Sequence, residues 1–146
     1  MGSAESTAGS YKIAVLDKIK SLLEEIEEFS ESTRKGFVSG RLDKKHIALI
    51  HFSEDNYVVS TTDEDVHEFG INLLIRYKSD INEDPESEMD NFIDLVGKVE
   101  DKLKENYTVL DTWEDLRIER INYTFGQERQ AVYYNAMFNL VVRTQW

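Results

Sequence analysis

The stretch VHEFGINLLIRYKSDINEDPESEMDNFIDLVGKVEDKL (66–103) changes its apolar period part-way, and that change decides the fold class. Over 66–78, Phe69, Ile71, Leu73, Ile75 and Tyr77 alternate with Gly70, Asn72, Arg76 and Lys78. A period of two is the pattern of a strand with one buried face. Beyond Pro85, the apolar residues Met89, Phe92, Ile93, Val96, Val99 and Leu103 recur at helical spacing, which predicts a stripe on an amphipathic helix. Pro85 suits a first helical turn, and the acids around it complement the positive end of the helix dipole. Lys98, Lys102 and Lys104 collect toward the other end, and Asn106 is the expected stop.

Upstream, Ile13, Leu16, Ile19, Leu23 and Ile26 predict a first amphipathic helix from Tyr11 to about Phe29, with Ser10 as its N-cap. Its apolar repeat is too short for a coiled coil, so packing on a sheet is expected. ESTRKG (31–36) reads as a loop. HIALIHFS (46–53) and YVVSTT (57–62) read as hairpin strands about the turn-prone EDN, and the acidic turn DED (63–65) leads into strand 66–78. Downstream, YTVLDTW (107–113) can add a short strand. LRIERINYTF (116–125) and the closing AVYYNAMFNLVVRTQW (131–146) then form a pair about the polar GQERQ. The order α-β-β-β-α-β-β predicts a single α+β domain over 11–146, with both helices packed on a largely antiparallel sheet. Residues 1–10 are expected to form a flexible arm. They lack the basic and apolar regions of a signal peptide, and the match of Gly2 and Ser6 to the myristoylation pattern is short and permissive.

Composition excludes several classes of function. The formal net charge is −12 and no basic stripe is present, which argues against a surface that neutralises phosphates. An acidic wall can still surround DNA without gripping it. With no cysteine there are no disulfides, zinc–thiolate sites or thiol nucleophiles. Apolar runs such as IALI and INLLI are too short to span a bilayer, so no membrane association is expected.

Chemistry-bearing motifs are also missing. Asp80, Asn82 and Asp84 fall on the first, third and fifth places of an EF-hand loop, but Pro85 replaces its glycine and Asn91 its bidentate glutamate. His46 and His51 point to opposite faces of a strand, and His67 has no partner at zinc-ligand spacing. No nucleophile elbow, phosphate loop or H-E-x-x-H helix occurs. Neither catalytic residues, metal nor cofactor are therefore expected, and the reading is of a protein that is not an enzyme.

The closing strand has a second face to explain. Its even positions include Val132, Tyr134, Ala136, Phe138, Leu140 and Val142, and suit the core. Its odd positions still offer Tyr133, Met137 and Val141 among Asn135, Asn139 and Arg143. One wet face should alternate more cleanly. Tyr133, Met137, Val141 and Arg143, with the terminal Trp146, are the candidate subunit interface. Trp146 serves equally as a lid on the core or as an anchor in a neighbour.

This order of elements resembles the tail terminator (tail-completion) proteins of long-tailed bacteriophages. The resemblance rests on YKIAVLDKIKSLLEEI, on EFGINLLIRYK before PESEMDNFIDLVGKVEDKL, and on the pair IERINYTF and AVYYNAMFNLVVR, spanning about 11–146. It is one of element order and texture, since the family has no invariant chemical signature. It implies a homo-oligomeric ring, commonly a hexamer, that caps the tail tube, halts its growth and meets the neck or connector proteins. DNA would pass through the bore without sequence-specific binding, and Asp63, Glu64 and Asp65 are the candidate acidic loop. Such a protein resides in the tail–neck region of the virion and assembles in the host bacterial cytoplasm. The alternatives are a neck or head-completion connector and, from another class, a small ligand-binding α+β module with a pocket between sheet and helices.

Overall fold

The computed structural model describes residues 7–29, 45–60 and 65–145. The chain is α+β. Helix α1 (Thr7–Glu24) ends in a 3-10 turn (Glu27–Phe29), and β1 (His46–Ser60) and β2 (Asp65–Asp80) follow. Helix α2 (Pro85–Glu105) precedes β3 (Asp115–Glu128) and β4 (Ala131–Gln145). The four strands form one sheet in the order β1-β2-β4-β3, antiparallel throughout.

Two expected boundaries move. EDN (54–56) is not a turn but lies inside β1, so two strands rather than three precede α2. Pairing with β2 continues from His46↔Tyr77 to Ser60↔Asp65, with irregularities at Phe52/Glu54 and Tyr57/Val59. The turn-prone residues themselves stay paired, Glu54↔Gly70, Asp55↔Phe69 and Asn56↔Glu68, and the ladder takes up its extra residues as bulges on either side of them. Gly70 makes the first bulge possible, because a β-carbon there would come within 2.5 Å of Ser53 Oγ and 2.7 Å of Glu54 Cγ. The first helix begins earlier than expected, so Thr7–Ser10 belong to α1 and Ser10 is not its cap. The rest of the arm, residues 1–6, lies outside the described residues.

The helix faces are also rotated from the expected stripes. Val15, Ile19, Leu22, Leu23, Ile26 and Phe29 are buried, whereas Ile13 is 60% exposed. On α2, Phe92, Leu95, Val96, Val99 and Leu103 are buried, whereas Ile93 is 56% exposed. Asp84 caps α2 by accepting from the Ser87 N–H at 3.3 Å and the Ser87 hydroxyl at 2.8 Å, with Pro85 opening the first turn. The acidic loop before the helix is thus a cap.

The core lies between the helices and one face of the sheet. Phe69, Ile71, Leu73, Ile75 and Tyr77 of β2 join Tyr134, Ala136, Phe138, Leu140 and Val142 of β4 beneath the buried stripes. The loop after α2 contains not a strand but one bridge, Val109↔Trp113, around Asp111 at φ 64°. Trp113 closes that end of the core and donates its indole N–H to the Asn106 carbonyl at 2.9 Å. A two-residue turn, Arg129–Gln130, joins β3 to β4, with Arg129 at φ 55° as such tight turns require.

His46 gives the fold a pH dependence. It is half-buried at the start of β1, with its ring centroid 5.4 Å from that of Tyr77. Burial, then the charge of Lys45, hold its pKa below the usual histidine value, and the Glu28 carboxylate only partly offsets them. The folded state therefore favours neutral imidazole. Its contribution is complete above the unfolded pKa and is lost as pH falls through the folded one. In urea titrations, His46→Gln is expected to flatten the dependence of stability on pH between about 7 and about 5.

Candidate functional site: the uncovered face of the sheet

Both helices pack on the same side, and among the described residues no element covers the other. Strand register lays out that open face rung by rung from β1 to β3. The middle rung is Leu49–Leu74–Met137–Asn122, and beside it lies Ile47–Arg76–Asn135–Thr124. On the other side come Asn72–Asn139–Arg120, then Glu54–Gly70–Val141–Arg117, then Glu68–Arg143–Asp115. Ile47, at the β1 margin, is already buried, so the uncovered area runs from Leu49 toward β3.

Tyr133, Met137, Val141 and Arg143 all lie on this face and are half-buried there by their neighbours. Arg76 donates from Nε to Asn135 Oδ1 at 2.8 Å, with its guanidinium 5.1 Å from the centre of the Tyr133 ring. That pair holds both side chains flat along the sheet. Arg143 Nε lies 4.0 Å from Glu68 and 3.8 Å from Glu114, while Arg117 approaches Glu68, Asp115 and Glu119 at 3.7–4.0 Å. At such separations these exposed pairs add at most about 1 kcal/mol each. The face is therefore apolar across Leu49, Leu74 and Met137, flanked by Arg76 and Arg120, and of mixed charge beyond them, where Glu54, Glu68 and Asp115 accompany Arg117 and Arg143. Trp146, Asp63 and Glu64 lie outside the described residues, as does the side chain of Asp65.

Sequence reasoning missed Leu49, Leu74 and Arg76 as members of this surface. Leu74 was the available signal, because it breaks the alternation of β2 at an otherwise polar position. A second exposed apolar area also went unpredicted. Ile93 on α2 stands out from the helix, and Tyr123 and Phe125 at the β3 edge are 48% and 56% exposed. Tyr123 and Phe125 stack edge-on against Phe92 at 6.1 and 6.4 Å. Burial, then the charge of Glu100, raise the Tyr123 pKa. Glu86, Asp90, Asp94 and Asp101 line the outer ridge of α2 about Ile93, all exposed.

The geometry offers little chemistry. No group of three or more metal-ligating side chains exists among the described residues. A cleft of about 640 Å³ lies at the sheet end where the β3–β4 turn meets the loop into α2. Lys45, Lys78, Asp80, Glu83, Glu128 and Arg129 line it, so it is charged and does not lie between sheet and helices. At its inner wall the Tyr77 hydroxyl donates to buried Glu88 Oε2 at 2.6 Å. Burial, then that hydrogen bond, push the Tyr77 pKa up to about 12. Tyr77→Phe leaves the Glu88 carboxylate without this donor and is expected to cost about 1–3 kcal/mol in denaturant unfolding. The effect on stability should fade as pH rises from the ordinary tyrosine value toward about 12, where the folded phenol ionises.

No protein-family model matches the chain, and no curated protein matches it. No helix among the described residues is long and apolar enough to cross a membrane.

Proposed function

We propose that the chain is a structural virion-assembly protein, a ring-forming tail terminator that caps the tail tube and joins it to the neck. The observation that carries this reading is the uncovered sheet face, with Leu49, Leu74, Met137, Val141 and Tyr133 arrayed across three strands. A face of this kind leaves apolar side chains waiting for a protein neighbour. Its flat, hydrogen-bonded surface offers contact area, and the charged cleft supplies no apolar chamber of the kind small ligands occupy. The net charge of −12 supports a wall past which DNA slides.

Native mass spectrometry with negative-stain microscopy tests the reading. The expected result is a closed ring, most simply a hexamer, that binds the end of purified tail tubes. A protein that stays monomeric at all concentrations and in the presence of tail tube would overturn it.

A further inference from the structure

Resting on the ring reading, we infer that the open sheet face of one copy receives the outer ridge of α2 from the next copy. The two surfaces lie on opposite sides of the domain and differ in kind. A contact between them is heterologous, and such a contact repeats head to tail until it closes a ring.

Their chemistry is complementary. On the three central rungs of the open face, the charged side chains are Arg76 and Arg120, set on either side of the apolar Leu49–Leu74–Met137. The α2 ridge inverts this pattern, with exposed Ile93 among Glu86, Asp90, Asp94 and Asp101. The helix carries seven carboxylates against three lysines, and the lysines are already engaged within the chain. Lys98 pairs with Glu28 and Asp94, Lys102 with Glu25, and Lys104 with Glu100. Acid on the ridge therefore remains to meet a cationic partner.

Spacing agrees. Asp90 and Asp101 are separated by about 16 Å of helix rise. Arg76 and Arg120 lie four residues along and two strands across, which is also about 16 Å. Gly97 is an independent observation on the same ridge. Glycine weakens a helix interior, yet a β-carbon at Gly97 would meet nothing within 4 Å. Among the described residues nothing demands a glycine there, and its bare backbone leaves room for a sheet to lie against the ridge.

A charge exchange tests the contact in the full chain. One variant carries Arg76→Glu and Arg120→Glu; the other carries Asp90→Lys and Asp101→Lys. Each alone is expected to self-associate at least about tenfold more weakly in analytical ultracentrifugation while keeping a folded circular-dichroism spectrum. Mixed one to one they should assemble again, because altered face meets altered ridge and native face meets native ridge. Gly97→Leu, which changes no charge and sits on an exposed helix, should weaken assembly likewise. Rings from either charge variant alone at wild-type strength would overturn the contact and leave the ring reading intact. So would failure of two folded variants to recover on mixing. A wild-type chain that never assembles would instead remove the ring reading itself.

Discussion

Phe92→Ala is expected to lower the unfolding free energy by about 3–5 kcal/mol, read as a shift in denaturant midpoint at unchanged slope. Phe92 is fully buried on the inner face of α2. Its ring meets Tyr134 at 5.5 Å, Tyr123 at 6.1 Å, Phe125 at 6.4 Å and Tyr77 at 6.5 Å. One side chain thus ties the helix to β2, β4 and β3 together. Truncation removes its buried area and leaves a void that four rings fixed in strands can fill only in part. A domain of this size is stable by about 5–15 kcal/mol, so the loss is a large share of the whole. Ile93→Ala, one residue on, should change stability by about 0.5 kcal/mol or less, because that side chain is mostly in solvent. A large effect at Ile93 in the monomer would mean that something in the chain covers it.

That pair of neighbours also measures what the sequence could reveal. Periodicity predicts that α2 is a helix and that Phe92, Val96, Val99 and Leu103 share its inner face, and all four are buried. It cannot place the margin of the stripe, since Ile93 and Leu95 sit on either side of the same arc and hydrophobicity does not distinguish them. Leu95 is buried and Ile93 is not. The same limit applies to α1, where Ile13 falls outside and Val15 inside. Strand β2 was legible because its alternation is clean apart from Leu74. The bulged β1 was not, because Glu54, Asp55 and Asn56 favour turns locally and only the pairing with β2 overrides them. The interaction surface was half legible. Strand β4 betrayed its second apolar face and Leu74 a break in β2, but their union with Leu49 into one surface depends on sheet order, which no local pattern contains.

Sheet order also changes where the charge lies. With β2 and β4 at the centre, the arginines of β2, β3 and β4 gather on one face. The acidic excess of α2 lies on the opposite side of the domain. An overall charge of −12 conceals the contrast between the cationic central rungs of the sheet and the α2 ridge, and the contrast gives a head-to-tail contact its direction.

Met137→Glu should leave the monomer folded, at a cost of about 1–2 kcal/mol, and weaken assembly at least about tenfold. The two outcomes separate because Met137 and Phe138 are adjacent in β4 but point to opposite faces. Phe138 is fully buried beneath the helices, whereas Met137 is half-buried between Leu74 and Asn122 on the open side. In the free monomer a carboxylate at this half-buried position keeps water on its open side, so only part of its desolvation cost falls on folding. Once a neighbour covers the middle rung, that carboxylate loses its water and faces the acids of the α2 ridge. Burying an unpaired charge in an interface typically costs about 2–5 kcal/mol, which exceeds the tenfold threshold. Met137→Leu serves as the control, since it keeps the volume and the apolar contact with Leu74 and should assemble as wild type. Unfolding of the Met137→Glu monomer would show this face to be covered within the chain. Undiminished assembly would show that the neighbour docks elsewhere on the subunit.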